Sequence, residues 1–143
     1  MSHAPHHPAG LPVLTVAAGV IIRRGRMLIA RRADGKANAG YWEFPGGKLE
    51  AGETARDCLE REFQEEFGIA VHTGAFITRS HHVEASRVIE LVVHHVRWLK
   101  GRLKPVDHDD IVWCPARELL TYPLAPADVP VAALLKSRRW TDR

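Results

Sequence analysis

The most constraining feature of the sequence is the stretch from residue 46 to residue 69, in which a glycine-rich loop leads directly into a helical pattern. Thr54 is a common N-cap residue, Asp57 follows it at capping-box spacing, and Gly68 suits the position after a last helical turn. Apolar residues recur at every fourth position in between, which predicts one buried helix face. These residues are Ala55, Leu59, Phe63 and Phe67.

An acidic group lies on the same predicted helix. Glu62 and Glu66 are one turn apart and Glu65 is three residues from Glu62, so their carboxylates point into one region. Like charges at this spacing weaken a helix by about 0.2–0.5 kcal/mol per pair, so a counter-charge is expected. Arg61 can supply it, and so can a hard divalent cation, which prefers oxygen ligands. A solvated acidic face is the alternative interpretation.

The loop before the helix favours a ligand site. Three glycines, at positions 46, 47 and 52, let backbone carbonyls approach a ligand closely, and Glu53 follows them. The spacing from Gly47 through Glu53 to the run Arg-Glu-Phe-Gln-Glu-Glu-Phe-Gly-Ile at residues 61–69 resembles the Nudix box at every defined position. A pattern with many fixed positions and two fixed gaps is highly specific.

This resemblance implies hydrolysis of a diphosphate that is linked to another group, with Mg²⁺ as the cofactor and Mn²⁺ as a substitute. It also implies an α/β (α+β) Nudix fold, in which a mixed β-sheet is sandwiched between α-helices. The implied metal ligands are the Gly47 carbonyl, Glu62 and Glu66, with Glu65 as a supporting ligand or water-positioning residue. Arg61 resembles the residue that orients the carboxylates, and Glu53 has a structural role or binds a second metal. The identity of the general base stays open.

Resemblance to the MutT branch extends beyond the box. The leader at residues 41–48 is similar, and Arg32, the second arginine of a pair, matches a phosphate-contacting position. Asp107 lies six residues before Trp113, where a general base or extra metal ligand is implied, although the family often has Glu there. A surface carboxylate is the alternative for Asp107. The implied catalytic residues are therefore Arg61, Glu62, Glu65 and Asp107.

Asp128 lies in a proline-rich turn at residues 123–130, where MutT-type enzymes place a base-reading residue. An ionised Asp only accepts hydrogen bonds, which favours the two donors of guanine or 8-oxoguanine over cytosine. Residues 111–130, however, resemble more closely the relatives that act on CTP, dCTP and modified cytosines. A carboxylate at a helix N-terminus is the alternative for Asp128. Phe44 and Trp42 are candidates for stacking on the base or for the core.

The remaining sequence predicts one domain at residues 13–143 after a disordered His- and Pro-rich tail at residues 1–12. Strands are expected at residues 14–23, 27–30, 41–44, 71–84, 87–99 and 111–114, and short or terminal helices at 116–121 and 127–139, the last with Ala132, Leu134 and Leu135 inward. Long apolar runs with little alternation predict strands that are covered on both faces. Polar loops are expected at residues 31–40 and 101–110.

The composition limits the classes of molecule that the chain is expected to bind. A net charge of +3 with scattered basic residues does not favour a nucleic acid polymer, and no signal or anchor pattern points to a membrane. The expected partner is a small-molecule nucleotide, for a monomer or homodimer located in the cytoplasm. Cys58 and Cys114 both lie in apolar context and are expected to be buried free thiols.

The predicted function is Mg²⁺-dependent hydrolysis of nucleoside triphosphates to monophosphate and pyrophosphate, which would remove 8-oxo-dGTP-type substrates from the nucleotide pool. Hydrolysis of CTP, dCTP and modified cytosine nucleotides is the first alternative. A catalytically silent nucleotide-binding module is the alternative of another class, although such modules usually lose a box glutamate and this chain keeps all four. The compact length and the MutT-like flanks argue against ADP-ribose, dinucleoside polyphosphates and nucleotide sugars.

Overall fold

Residues 10–140 are described by a computed structural model of the chain, which contains two four-stranded sheets, two α-helices and two short 3₁₀ helices. The strands are β1 Val13–Val20, β2 Ile22–Arg23, β3 Arg26–Arg32, β4 Trp42–Glu43, β5 Gly46–Lys48, β6 Ile69–Val83, β7 Val88–Gly101 and β8 His108–Pro115. The α-helices are α1 Ala55–Phe67 and α2 Val129–Lys136, and the 3₁₀ helices are Ala116–Thr121 and Pro126–Asp128. The predicted tail at residues 1–12 falls mostly on residues 1–9, which lie outside the described residues.

The two sheets differ in strand direction. The first has the order β5-β1-β7-β6 and is mixed, because β1 runs parallel to β7 while the other pairs are antiparallel. In the second sheet β3 pairs with β2, β4 and β8, always antiparallel. The predicted mixed sheet is thus present. The sequence did not reveal that some of the strands form a second, antiparallel sheet.

Alternate residues of the central strands face two separate cores. On β1, Ala17 packs in the cluster that contains the apolar face of α1, whereas Ala18 packs in the cluster that contains α2. Leu28 and Ile29 of β3 divide in the same way. Successive side chains of a strand point to opposite faces, so a strand that is covered on both faces reads as an unbroken apolar run. The predicted sandwich of strands between helices is confirmed.

Helix α1 begins and ends as the sequence predicts. The Thr54 hydroxyl accepts a hydrogen bond from the Asp57 N–H at 3.1 Å, and the Asp57 carboxylate accepts one from the Thr54 N–H at 3.4 Å, which completes a capping box. Gly68 adopts a left-handed conformation with φ of 72° and donates to the Gln64 carbonyl. Leu59, Phe63 and Phe67 are buried, as is Cys58.

The predicted loop after residue 45 contains a short strand instead. Gly46 and Gly47 belong to β5 and pair with Ala18 and Ala17 of β1. A Cβ atom at position 46 would lie 1.9 Å from the Ala17 carbonyl oxygen, so only glycine allows this approach. Gly46 is thus a position of close approach to strand β1 and Gly47 one of close approach to Glu62, whereas Gly52 has open space around it and a φ of 79°.

Other boundaries differ by a few residues. β3 extends through Arg32 into the predicted loop, and β8 begins at His108 rather than at residue 111. α2 is shorter than the predicted helix at residues 127–139 because Ser137 ends it and bonds the Leu134 carbonyl with its side chain. Val131 is buried in α2 in addition to Ala132 and Leu135, whereas Leu134 is only half-buried, so its predicted inward position is a partial error.

Two further expectations concern the thiols and the membrane. Cys58 and Cys114 are both buried and free, as predicted. Within residues 10–140, no helix combines the length and the hydropathy that crossing a bilayer requires.

The capping box should contribute measurably to stability. Replacing Thr54 with Ala removes the acceptor for the Asp57 N–H and should lower the free energy of unfolding by about 1 kcal/mol. Thr54→Ser keeps the hydroxyl and should retain most of that stability. Urea denaturation of the three proteins checks this, and identical midpoints for Thr54→Ala and wild type would show that the box does not stabilise α1.

Candidate active site

Arg61 is the centre of the acidic group predicted from the sequence. Its Nε and Nη2 atoms donate to the two Glu53 oxygens at 2.7 and 2.9 Å, and its Nη1 donates to Glu62 at 2.9 Å and to Glu65 at 3.2 Å. Nη2 also lies 3.2 Å from the Lys48 carbonyl oxygen of β5. One guanidinium therefore connects Glu62 and Glu65 of α1 to Glu53 and to the strand in front of the helix.

The carboxylates around Arg61 occupy different environments. Hydrogen bonds from Arg61 lower the pKa of Glu53 to about 2, with help from the Glu50 backbone N–H. Burial raises the pKa of Glu62, and its contact with Arg61 offsets only part of this effect. Glu65 is mostly exposed, with 57% of its side chain accessible. Glu53 is thus a firmly ionised anchor, whereas Glu62 is held half-buried.

Gly47 lies directly against Glu62. A Cβ atom at position 47 would be 2.4 Å from the Glu62 carboxyl carbon, so a larger residue would displace the carboxylate. The Gly47 carbonyl accepts a hydrogen bond from the Cys58 thiol at 3.3 Å, and the Lys48 carbonyl lies 3.5 Å from the same sulfur. The glycine that opens the box is therefore a packing position for Glu62, and its carbonyl is already bonded to α1.

Glu66 lies apart from Arg61 and next to Asp107. Burial raises the pKa of Glu66 to about 7, and the nearby Asp107 carboxylate adds to the shift. Its Oε2 atom is buried with no hydrogen-bond partner among the described residues. Asp107 binds Lys36 at 3.0 Å, and this contact is the main reason why the pKa of Asp107 is lowered. A bond from the Val106 N–H to the Glu66 carbonyl at 3.0 Å holds the loop on α1.

The carboxylates around Arg61 and Glu66 have donor atoms that suit a metal ion, although they do not yet converge on one point. Within residues 10–140, no three His, Cys, Asp or Glu side chains already converge as a ready coordination site, because Glu62 and Glu65 are directed at Arg61. The available donors are all oxygen atoms, and the unbonded Glu66 oxygen is buried among them. Such a donor set suits a hard cation such as Mg²⁺ or Mn²⁺.

A cleft of about 280 Å³ opens beside Gly47. It brings together four residues predicted from the sequence, namely Arg32, Phe44, Gly47 and Asp128. It also contains residues that the sequence analysis missed, namely Asn38, Glu43, His82, Glu84 and Arg87. A larger groove of about 510 Å³ lies between β2 and the end of β7, but it shares no lining residue with this cleft and contains no residue of the box.

Asp128 lies at the buried end of the cleft. Its carboxylate is 5% exposed and accepts a hydrogen bond from the Phe44 N–H at 3.1 Å, while its side chain makes no capping bond to α2. Burial raises the pKa of Asp128 well above its usual range, and the charge of Glu43 adds to the shift. The environment therefore favours a neutral carboxyl, which differs from the ionised Asp128 assumed in the sequence analysis.

The aromatic candidates belong to the core. Phe44 is 2% exposed and Trp42 is 6% exposed, and the Trp42 ring packs edge-on against Tyr122 at 5.1 Å. Phe44 borders the cleft, and its backbone N–H holds Asp128. In this conformation, Trp42 therefore serves the core rather than the cleft.

Glu43 is the most informative of the missed residues. It lies between buried Trp42 and Phe44, with its carboxylate 4.0 Å from Arg32 Nε and 3.3 Å from His108 Nε2. Arg32 also donates to the Ala37 carbonyl at 3.2 Å. The sequence did contain a signal for Glu43. In a strand at residues 41–44, its side chain points to the face opposite to that of Trp42 and Phe44.

Known proteins resemble the chain in sequence and in fold. The profile of the NUDIX domain matches residues 13–135. The CTP pyrophosphohydrolase of Escherichia coli (strain K12) is 40% identical over 121 residues, which are 85% of this chain and 90% of that protein. The 8-oxo-dGTP diphosphatase of the same strain is 32% identical over 124 residues, 86% of this chain and 96% of that protein. The solution structure of the E. coli ORF135 protein superposes with a TM-score of 0.81 at 36% identity, over 92% of this chain and 94% of that one.

The buried Asp128 should make stability depend on pH. Its folded-state pKa is raised above the ordinary value of 3.8, so its contribution is fully present below that value and is lost as the pH rises through the folded-state pKa. Asp128→Asn keeps an acceptor for the Phe44 N–H and carries no charge. Wild type should therefore lose stability relative to Asp128→Asn in urea denaturation as the pH rises above the ordinary carboxyl pKa of 3.8. A difference that stays constant as the pH rises would mean that burial does not raise the pKa of Asp128.

Proposed function

Because the chain belongs to the Nudix hydrolase family, we propose that it cleaves nucleoside triphosphates to a nucleoside monophosphate and pyrophosphate. The observation that carries this proposal is the continuity of the cleft, which runs from Gly47, against Glu62, to the buried Asp128. Gly47 brings the cleft next to the Glu62 carboxylate, which suits diphosphate chemistry, and Asp128 offers an enclosed polar group that suits a base.

We propose Mg²⁺ as the cofactor, with Mn²⁺ as a substitute. Glu62, Glu66 and the Gly47 carbonyl would hold it, and Glu65 would support it or position water. When bound, the ion neutralises charge on the diphosphate and makes water a better nucleophile. The unpartnered Glu66 oxygen supports this assignment, since a buried carboxylate oxygen normally has a partner. Glu53 acts as the ionised anchor of Arg61 and contributes structurally.

The protein residues around the diphosphate have separate tasks. Arg61 holds Glu62 and Glu65 in fixed orientations, because its contacts leave little freedom to either side chain. Asp107, which Lys36 keeps ionised, is proposed as the general base or as an extra metal ligand, although its lowered pKa makes it hold a proton less strongly than an isolated carboxylate. Glu53 is a poor base, since its pKa of about 2 makes it hold protons weakly. Arg32 lines the cleft and is proposed to bind a substrate phosphate.

The base is proposed to lie at Asp128, with an oxidised guanine nucleotide such as 8-oxo-dGTP as a substrate and removal of damaged nucleotides as the role. Cytosine nucleotides are the second candidate, favoured by the burial of Asp128. A neutral carboxyl offers one donor and one acceptor, which match N4 and N3 of cytosine as well as N1 and O6 of guanine. A neutral Asp128 would therefore suit cytosine as well as guanine. The names of the two relatives support both substrates.

The test measures pyrophosphate release from 8-oxo-dGTP, dGTP, CTP, dCTP, 5-methyl-dCTP and UTP, and AMP release from ADP-ribose, with and without Mg²⁺. Ratios of kcat/KM convert to differences in transition-state binding, with tenfold equal to about 1.4 kcal/mol. Release from nucleoside triphosphates alone would support the proposal. Cleavage of ADP-ribose alone would contradict it, and lack of turnover with retained nucleotide binding would support a silent binding module.

Loss of the proposed metal ligands should abolish turnover. Glu62→Gln and Glu66→Gln each remove a carboxylate charge while preserving shape, so the rate should fall more than about tenfold with little change in the fold. Glu118→Gln, at an exposed position in the first 3₁₀ helix, is the control and should retain activity. Steady-state kinetics and circular dichroism check this. More than a tenth of the wild-type rate in either variant would remove that residue from the essential set.

Substitutions of Asp128 should show whether it binds the base as a neutral carboxyl or as a carboxylate anion. Asp128→Asn keeps one donor and one acceptor, as a neutral carboxyl does, so the ranking of nucleotides should persist. Asp128→Ala removes both the donor and the acceptor. The ratio of kcat/KM between the best and the poorest nucleotide should then fall about tenfold. The same panel of nucleotides measures both variants. If Asp128→Asn loses selectivity as fully as Asp128→Ala, Asp128 reads the base as an anion.

The remaining assignments are also proposals. Residues 13–143 form one domain, the partner is a small-molecule nucleotide rather than a nucleic acid polymer or a membrane, and the enzyme is a monomer or homodimer in the cytoplasm. The scattered distribution of the basic residues supports a partner other than a nucleic acid polymer.

A further inference from the structure

We propose that His108 is a positioning residue, which holds the Glu43 carboxylate at the base end of the cleft and thereby sets the selectivity among nucleotides. This inference rests on the proposed function, because it concerns the recognition step of the same reaction. Neither residue belongs to the box, and His108 does not line the cleft. Its effect on substrate would pass entirely through Glu43.

The contact itself is direct. His108 Nε2 lies 3.3 Å from Glu43 Oε2, although the two residues are 65 positions apart in the sequence. An ionised carboxylate can only accept, so the imidazole Nε2–H is the donor. The His108 side chain is 2% exposed, whereas Glu43 retains 20% exposure at the edge of the cleft. The hydrogen bond therefore reaches from the core to a carboxylate that substrate can touch.

The imidazole ring has little freedom to turn away. It stacks on Phe67, the last residue of α1, with ring centroids 5.2 Å apart and planes inclined by 23°. Its Nδ1 atom is buried with no hydrogen-bond partner among the described residues. A buried polar atom without a partner is unfavourable, so this orientation satisfies Glu43 at the expense of the other ring nitrogen.

Glu43 is well placed to influence the base. Its other oxygen lies 4.0 Å from Arg32 Nε, so the carboxylate stands between a cation of the cleft and the buried imidazole. Its charge also acts on Asp128 at the closed end of the cleft. A fixed Glu43 gives the base a second acceptor beside Asp128, and exocyclic amino groups of cytosine and guanine are suitable donors for it. A mobile Glu43 would discriminate less between bases.

The test compares two substitutions at His108. His108→Phe keeps an aromatic ring against Phe67 but removes the donor, and His108→Gln keeps a donor near the Nε2 position. The measured quantity is kcat/KM for the preferred nucleotide of the wild type divided by kcat/KM for UTP. We expect His108→Phe to lower this ratio about tenfold, mainly through KM of the preferred nucleotide, while His108→Gln preserves most of it.

The controls separate positioning from general damage. His72→Phe changes an exposed histidine on β6 and should leave the ratio unchanged. Glu43→Gln should lower the ratio as His108→Phe does, and the double variant should lose little more, because both changes remove one interaction. If His108→Phe does not fold, Glu43→Gln and His108→Gln still give the result, since an unchanged ratio in Glu43→Gln overturns the proposal.

Two other outcomes would also overturn it. An equal fall in kcat for every nucleotide would mean that His108 acts on the chemical step or on the fold, and an unchanged ratio in a folded His108→Phe would mean that Glu43 needs no support. A wild type that turns over no nucleotide would contradict the proposed function instead. The same ratios would then be taken from dissociation constants of α,β-methylene nucleotide analogues, which require no turnover.

Discussion

The ion pairs of Arg61 are the interaction on which the rest of the site depends. Four carboxylates, those of Glu50, Glu53, Glu62 and Glu65, lie within 4.0 Å of one guanidinium that is 21% exposed. Without this cation, their mutual repulsion would oppose both the helix and the approach of the preceding strand. Arginine suits the task because its planar fork donates in several directions at once and stays charged.

The same guanidinium links secondary structure to chemistry. Its bond to the Lys48 carbonyl fixes β5, and β5 in turn pairs with β1 at the centre of the sandwich. The Cys58 thiol holds the adjacent Gly47 carbonyl from the buried side of α1. Helix α1, strand β5 and the carboxylates are therefore directly connected. The cleft beside Gly47 is bordered by strands that pack on the core.

Features that depend on near neighbours in the sequence could be predicted. Both ends of α1 were predicted correctly, since Thr54, Asp57 and Gly68 act on backbone groups within a few residues of themselves. The sandwich was predictable because unbroken apolar runs leave no polar face for solvent. The spacing of the box likewise identified Arg61 and the carboxylates that its guanidinium binds.

Features that depend on distant contacts could not be predicted. The pairing of β5 with β1 requires the register of two strands that the sequence pattern does not specify. The contact between Asp128 and Phe44 spans 84 positions and that between His108 and Glu43 spans 65, so neither residue signals its partner locally. Burial also raises the pKa of Asp128, a shift that the sequence does not reveal because it depends on how deeply the fold encloses the carboxyl.

Carboxyl groups lie in two different electrostatic environments in this site. Carboxylates near Gly47 pair with Arg61, and Asp107 pairs with Lys36. Asp128 is instead buried, and its burial raises its pKa well above the usual range. The same type of side chain is thus held in two ways, because the fold buries one carboxyl and pairs the others with cations. The two groups are also separate in their contacts, since the contacts of Asp128 and Glu43 described above do not include Arg61.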